Sequence, residues 1–405
     1  MNNTGVRAVE VVVVGAGQAG LAAAFHLRRI GYRPDRDFVV LDHSPRPGGA
    51  WQFRWPTLTY DKVHGMHALP GMELTGADPL RPSSEVIGGY FDSYERAFGL
   101  RVHRPVSVLS VREGGAGRSW TGSSSTGPSS TGPSSTGPSS TESAGALGRG
   151  RLLVETSEGN YAARALINAT GTWDRPFWPR FPGQEVFGGR QLHSAQYRGP
   201  EDFRAAHVVV VGGGTSAVQQ LLEIAPVAAA TTWVTRRPPV FRAGPFGEEQ
   251  GRAAVALVAD RVRQGLPPRS VVSVTGLPMT EATRRGRESG VLERLPLFER
   301  LTPTGAVWDD GRTVEADAIL YATGFRPALD HLAPLRLREP GGGIRMDGTR
   351  TLRDARVHLV GYGPSASTIG ASRAGRAAAV GIDRLLTEEP QPADEGAELA
   401  GILAS

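Results

Sequence analysis

Residues 9–14 (VEVVVV) form an almost unbroken apolar run, as expected of a strand buried on both faces of a parallel sheet. Glycines crowd residues 15–20 (GAGQAG), and residues 21–30 (LAAAFHLRRI) continue as a helix with one apolar face. Residues 38–41 (FVVL) predict the next strand, which ends at Asp42. The same order recurs 197 positions on, from Gly15 to Gly212. There residues 207–211 (HVVVV) predict a strand, 212–217 (GGGTSA) a turn, 218–225 a helix and 232–235 (TWVT) a second strand. Two β–turn–α–β starts predict an α/β fold with two Rossmann-like dinucleotide-binding domains.

A second echo is quieter. Residues 152–171 (LLVETSEGNYAARALINATG) and 307–324 (VWDDGRTVEADAILYATG) each read as a hairpin around an EG or DG turn, then a strand ending in Ala-Thr-Gly. Each glycine turn thus has its own downstream hairpin and Thr-Gly exit, at Thr170-Gly171 and Thr323-Gly324. Residues 106–111 and 152–156 read as hairpin partners. Between them lies a repeat of threonine, glycine, proline and serine (residues 121–141) with no apolar side chain to bury. It predicts a disordered, solvated hairpin tip whose expansion is tolerable, because loop-closure cost grows slowly with length. The pattern predicts a discontinuous first domain, residues 1–171 and 314–405, into which the second, residues 172–313, is inserted.

Composition narrows the class. The 405 residues, 40% hydrophobic and 21% charged, suffice for two domains with separate cores. A pI near 9.8 raises the question of nucleic acid, but the net charge is only +5 and Lys62 is the only lysine. The arginines are scattered in runs no longer than two, so no nucleic-acid partner is expected. The chain has no cysteine, which excludes disulfides, thiolate metal sites and thiol redox relays. No signal peptide is recognisable before Val9. The uncharged stretch 11–27 is shorter than the ~20 residues of a membrane helix and is broken by Gly15, Gly17 and Gly20. The expectation is a soluble, cytoplasmic protein with no membrane partner.

The candidate chemistry gathers at the two turns. Gly15, Gly17 and Gly20 make GxGxxG directly after a buried strand, allowing a tight turn, close approach of a pyrophosphate and helix-on-strand packing. Asp42, 22 residues after Gly20, is placed to accept ribose hydroxyls. Residues 45–52 (PRPGGAWQ) suit close approach to a bulky cofactor as well as they suit a turn with a buried aromatic. The second turn has Gly212, Gly214 and Ala217, and its second strand ends in Thr235-Arg236-Arg237 with no carboxylate. Arginines there attract a 2′-phosphate that an acid would repel. One acidic and one arginine-rich site predict FAD plus NADPH. Disulfide reductases of this build need a redox cysteine pair that this chain lacks.

The segment 187–199 (FGGRQLHSAQYRG) has a phenylalanine, glycine, histidine and aromatic residue at Phe187, Gly189, His193 and Tyr197. With GAGQAG, Asp42, GGAW (48–51), NATGTW (168–173), GGGTSA, YATGFRP (321–327) and VGYG (360–363), it resembles the fingerprint of the flavin-containing monooxygenases, particularly their small bacterial members. A tryptophan in place of Tyr197 would instead suggest Baeyer–Villiger monooxygenases. The resemblance spans nearly the whole chain outside the repeat. It implies that Gly15, Gly17, Gly20, Asp42, Gly49, Ala50 and Trp51 hold FAD. It implies that Gly212, Gly214, Thr215, Ser216, Thr235, Arg236 and Arg237 hold NADPH, with NADH as the alternative donor. Thr170, Gly171, Thr323 and Gly324 would mark domain crossings or cofactor contacts. Gly361, Gly363 and a helix after Thr368 would approach the flavin ring. Two features depart from the pattern. Larger members carry an asparagine after the GGxW region, whereas residues 59–71 (TYDKVHGMHALPG) have none, leaving Asp61, His64 and His67 as unranked stand-ins. Arg198 stands where lysine is more usual.

The implied activity is NADPH- and FAD-dependent monooxygenation through a C4a-(hydro)peroxyflavin, placing one oxygen atom of O₂ on a small soft-nucleophile or carbonyl substrate by S- or N-oxygenation or Baeyer–Villiger insertion. The alternative is an NADPH-dependent flavin reductase or oxidase that releases H₂O₂; a non-enzymatic redox sensor is the third class. The cofactor performs the hard step, so no acid–base dyad is required. His193, a lone loop histidine without a carboxylate or nucleophile at recognisable spacing, reads with Tyr197 as a positioning element rather than a base. No metal site is expected, since His64 and His67 lack a third ligand. Homodimerisation is expected only by family analogy.

Overall fold

The computed structural model describes residues 5–63, 66–114, 150–242, 248–268 and 276–388. His64 and the repeat at 121–141 lie outside the described residues.

Strand β1 (Val6–Val14) ends in four buried valines and runs into helix α1 (Gln18–Ile30). The helix starts three residues earlier than its apolar spacing predicts, because Leu21 N bonds the Gly17 carbonyl at 3.0 Å and closes the first helical turn on the glycine itself. Strand β2 (Phe38–Leu41), helix α2 (Ser83–Ala97) and strands β3 (Val102–His103), β4 (Val108–Glu113), β5 (Leu152–Thr156) and β6 (Gly159–Asn168) complete this part. β1 lies parallel between β2 and β6, and β4–β5–β6 is the expected antiparallel meander.

After Asn168 the chain builds a second sheet. Its members are β7 (Arg190–His193), β8 (His207–Val211), α3 (Thr215–Ile224) and β9 (Ala230–Val234), then the short pair β10 (Phe241–Arg242) and β11 (Leu277–Pro278) around α4 (Glu248–Arg263). Helix α5 (Glu281–Glu288), β12 (Arg294–Leu295), the meander β13 (Arg300–Thr302), β14 (Gly305–Val307), β15 (Thr313–Glu315), and β16 (Ala318–Tyr321) follow. The five-stranded sheet runs β12–β9–β8–β16–β7, parallel throughout.

This order moves the boundary expected at 313/314. β16 lies between β8 and β7, with Tyr321 opposite both Val211 and His193. Its backbone groups find their partners only in the second sheet, so that unit runs on to Tyr321. The chain then returns through β17 (Met346–Asp347), β18 (Arg350–Thr351) and β19 (Val357–Leu359), which pairs with β6, and ends in α6 (Thr368–Glu388). One face of the first sheet is covered by α1, α2 and α6, with Leu21, Phe25, Ile87, Phe91, Ala378 and Ile382 in the core. The insertion of one α/β unit between β6 and β19 of another is the two-domain architecture expected from the duplicated turns.

Candidate active site

The two glycine turns share one plan. Gly15 N bonds Leu41 O at 2.7 Å and Ala169 N bonds Val14 O at 2.7 Å; their counterparts are Gly212 N to Val234 O at 2.9 Å and Ala322 N to Val211 O at 2.8 Å. Each first glycine presses on the alanine of an Ala-Thr-Gly exit. A Cβ on Gly15 would lie 2.6 Å from Ala169 O, and one on Gly212 would lie 2.2 Å from Ala322 O. Only glycine fits there. The Ala-Thr-Gly exits are therefore the floors of the turns, which explains why the sequence carries two of each.

Over the first turn opens a cavity of about 630 Å³. Gly15, Gly17, Asp42, Gly49, Ala50 and Trp51 line it, as do Thr170, Gly171 and Gly361. Ser365, Ser367 and Thr368 bring the start of α6 to its wall. Both helix starts present backbone N–H groups and the positive end of the helix dipole to this space. Two expected members stand elsewhere. Gly20 packs the helix on its own turn, since a Cβ would lie 1.8 Å from Gly15 O. Gly363 is buried against α4, where a Cβ would lie 2.8 Å from Val262 Cγ2. Neither lines the cavity.

Asp42 is only 3% exposed, and its carboxylate already accepts from Ala16 N and Ser44 N, both at 2.7 Å. It ties the glycine turn to the end of β2 at the cavity wall. The equivalent position after β9 is Thr235, also buried, whose hydroxyl donates to Arg237 O at 2.9 Å. Thr235 thus shapes the arginine turn from below. Arg236 and Arg237 are exposed and show no ion pair or hydrogen bond from their guanidinium groups among the described residues. Thr215 opens α3, with Gly214 as its cap and Ser216 in its first turn.

The linkers between the two units are zipped together. Phe177 N bonds Gly324 O at 2.9 Å, Arg326 N bonds Arg175 O at 2.8 Å and Ala328 N bonds Gly171 O at 3.0 Å. Thr323 donates to Phe177 O, and Thr170 to Ala328 O at 2.6 Å. Arg175 pairs with Asp330 across the same ribbon. His193 holds this ribbon to β7: it is fully buried, its Nε2 lies 3.1 Å from Gly324 O, and its Nδ1 accepts from Ala195 N. Burial lowers its pKa, so it stays neutral with both nitrogens committed.

Tyr197 reaches Glu223 of α3. That carboxylate accepts from Tyr197 OH at 3.0 Å, Thr57 Oγ1 at 2.6 Å and Trp55 Nε1 at 3.3 Å. One acid therefore fastens the 187–199 segment and the first domain's 55–57 loop to α3 of the second domain. Burial, and then the Glu223 charge, push the Tyr197 phenol upward, so it remains a donor.

Several site residues were not foreseen. His331 lines the cavity and donates to Asn168 Oδ1 at 2.7 Å; burial pulls its pKa down to about 4. His43 and Asp174, 3.2 Å apart, form part of the rim, the carboxylate raising the imidazole pKa. Phe53, Trp173 and Phe325 stack in sequence, with centroids 6.0 and 5.0 Å apart. A lone acid in the apolar helix segment LLEI was the available signal for Glu223; His331 and His43 had none. Asp61 accepts from Thr59 and is exposed, and His67 is exposed with its carbonyl on Gln18; neither lines the cavity. Among the described residues no three His, Asp or Glu side chains gather as a metal site, and no helix is long and apolar enough to cross a membrane.

Known proteins resemble this chain in sequence and fold. A family described as pyridine nucleotide-disulphide oxidoreductase matches residues 148–245, and one described as NAD(P)-binding Rossmann-like domain matches residues 13–74. A flavin-containing monooxygenase from Stenotrophomonas maltophilia superposes with a TM-score of 0.72 and 33% identity, covering 94% of this chain and 100% of its own. The uncharacterized oxidoreductase CzcO of Bacillus subtilis is 26% identical over 53% of this chain and 51% of its own, so the chain spans about half the length of the curated relatives it first matches. A Baeyer-Villiger monooxygenase of Streptomyces coelicolor is 25% identical over 87% of this chain and 64% of its own.

Proposed function

Because the chain belongs to the flavin-containing monooxygenases, we propose that it uses FAD and NADPH to place one oxygen atom of O₂ on a small soft-nucleophile or carbonyl substrate. The observation that carries this reading is the pair of glycine cradles, each floored by its own Ala-Thr-Gly exit and joined by one zipped ribbon.

The first cradle fits FAD. Glycines that exclude any Cβ, two helix starts aimed at the same space and a carboxylate at the end of β2 suit a pyrophosphate, a flavin and a ribose. The flavin, when bound, supplies hydride acceptance and oxygen activation. The rest falls to the protein. Gly15, Gly17 and the α1 start bind the pyrophosphate, while Gly49, Ala50 and Trp51 close over the cofactor from one side and Gly361 with the α6 start from the other. Gly214, Thr215 and Ser216 hold the second pyrophosphate, and Arg236 and Arg237 take the 2′-phosphate where Thr235 offers no opposing charge. His193 and the Glu223 contacts with Trp55 and Thr57 fix the angle between the two cradles. The Phe53–Trp173–Phe325 stack helps keep water from the reaction.

The cavity lining, which among the described residues includes no asparagine, favours a second reading, peroxide release without oxygen transfer. Oxygen-consumption assays of holoenzyme with thioethers, amines and ketones, recording H₂O₂ alongside, decide between them. The monooxygenase reading expects product to match NADPH consumed for at least one class. H₂O₂ accounting for all NADPH with every class would establish the second.

A further inference from the structure

Arg54 follows the turn Gly49–Phe53, whose glycine, Trp51 and Phe53 line the cavity. Its guanidinium carbon lies 5.5 Å from the Trp51 ring and 4.9 Å from the Trp173 ring. Among the described residues no carboxylate, carbonyl or hydroxyl takes any of its guanidinium N–H groups, and its Nε is fully buried without a partner. Other shielded arginines are paired: Arg104 with Glu95 at 2.6 Å, and Arg356 with Asp354 at 2.7 Å. A cation whose Nε is buried with only ring faces beside it is a costly arrangement, because π contacts replace little of the hydration lost there. Burial draws its pKa down to about 10, so it is still charged at neutral pH.

The phosphates of both nucleotides have better hosts, at the glycine turns and at Arg236 and Arg237. Arg54 itself does not line the cavity; its half-buried side chain stands beside Trp173, which stacks on Phe325, and Phe325 meets His193 at 5.0 Å, on the side facing the second domain. A planar fork beside flat aromatic faces matches a carboxylate carried on a planar body.

We infer that Arg54 anchors the carboxylate of the substrate, which is therefore an aromatic or conjugated organic acid bearing the oxidisable group at a distance from its anionic end. The inference rests on the monooxygenase reading for the word substrate, but the binding it asserts is measurable without turnover.

The probes are 4-(methylthio)benzoate and its uncharged methyl ester, titrated into holoenzyme by calorimetry and by quenching of tryptophan fluorescence. The acid should bind about tenfold more tightly than the ester, as expected for one charge-assisted hydrogen-bonded pair. Arg54→Met should abolish that preference and Arg54→Lys retain part of it, with FAD content and the KM for NADPH unchanged. Equal binding of acid and ester to the unaltered protein would overturn the inference without any variant. So would a loss of FAD or a raised KM for NADPH in Arg54→Met with the acid preference intact, since the cation would then serve a cofactor phosphate. If the acid binds through Arg54 yet neither thioether is oxygenated by reduced enzyme in O₂, the activity proposal fails and the anion site stands.

Discussion

At the residue scale, the decisive side chains act by holding others. Glu223 accepts three hydrogen bonds from two domains, and a bond to a charged partner contributes about 1.5–3 kcal/mol. In Glu223→Gln an amide N–H₂ must face a donor. The expected result is a several-fold higher KM for NADPH and a larger H₂O₂ fraction, with FAD content unchanged; a normal KM and full coupling would refute the latch. His193→Ala should behave alike, slowing hydride delivery at low NADPH while flavin reduction recovers at saturation, as stopped-flow absorbance would show. His331 sets a pH limit. Its folded pKa is about 4 against an ordinary 6.5, so the unfolded chain binds the extra proton first as pH falls. The stability it supports is complete above about pH 6.5 and is lost progressively toward pH 4, on the order of 3 kcal/mol at the end. Melting temperatures of holoenzyme between pH 7 and 4.5 should fall less steeply in His331→Gln.

At the element scale, the contact between α1 and α6 positions two helix starts on one cavity. Gly375 makes that approach: a Cβ would lie 2.7 Å from Ala23 N, a backbone atom that cannot step aside. Gly375→Ala should therefore part the helices, cost about 1–3 kcal/mol and weaken FAD retention, read by denaturant unfolding and by flavin released on gel filtration. The elements themselves were largely legible. Valine runs, glycine turns and the paired hairpins announced β1, α1, β8 and α3 within a few residues, because buried parallel strands and tight turns tolerate few side chains. Both helices nevertheless begin earlier than apolar spacing suggests, since their first bonds fall on glycine carbonyls rather than on apolar residues.

At the scale of the whole molecule, cofactor choice and domain geometry decide the outcome. Arg236→Ala with Arg237→Ala should raise the KM for NADPH about tenfold while leaving that for NADH nearly unchanged; a parallel rise for both would place the arginines outside the 2′-phosphate site. Deleting residues 121–141 should leave activity intact, because β4 and β5 pair through Glu113 and Leu152 without them. Taken alone, the sequence determined the two glycine turns, their duplicated exits, the absence of thiol chemistry and the resemblance to a family. All of these are written in residues whose size or charge is constrained locally. Tertiary structure alone decided that β16 belongs to the second sheet, that Gly363 faces α4, that Thr235 sits beneath its arginines, and what surrounds Glu223, Arg54 and His331. Apart from Thr235, whose hydroxyl bonds Arg237 O two residues on, those roles arise from partners more than a hundred residues away or from a missing partner, and neither leaves a mark in the spacing of nearby residues.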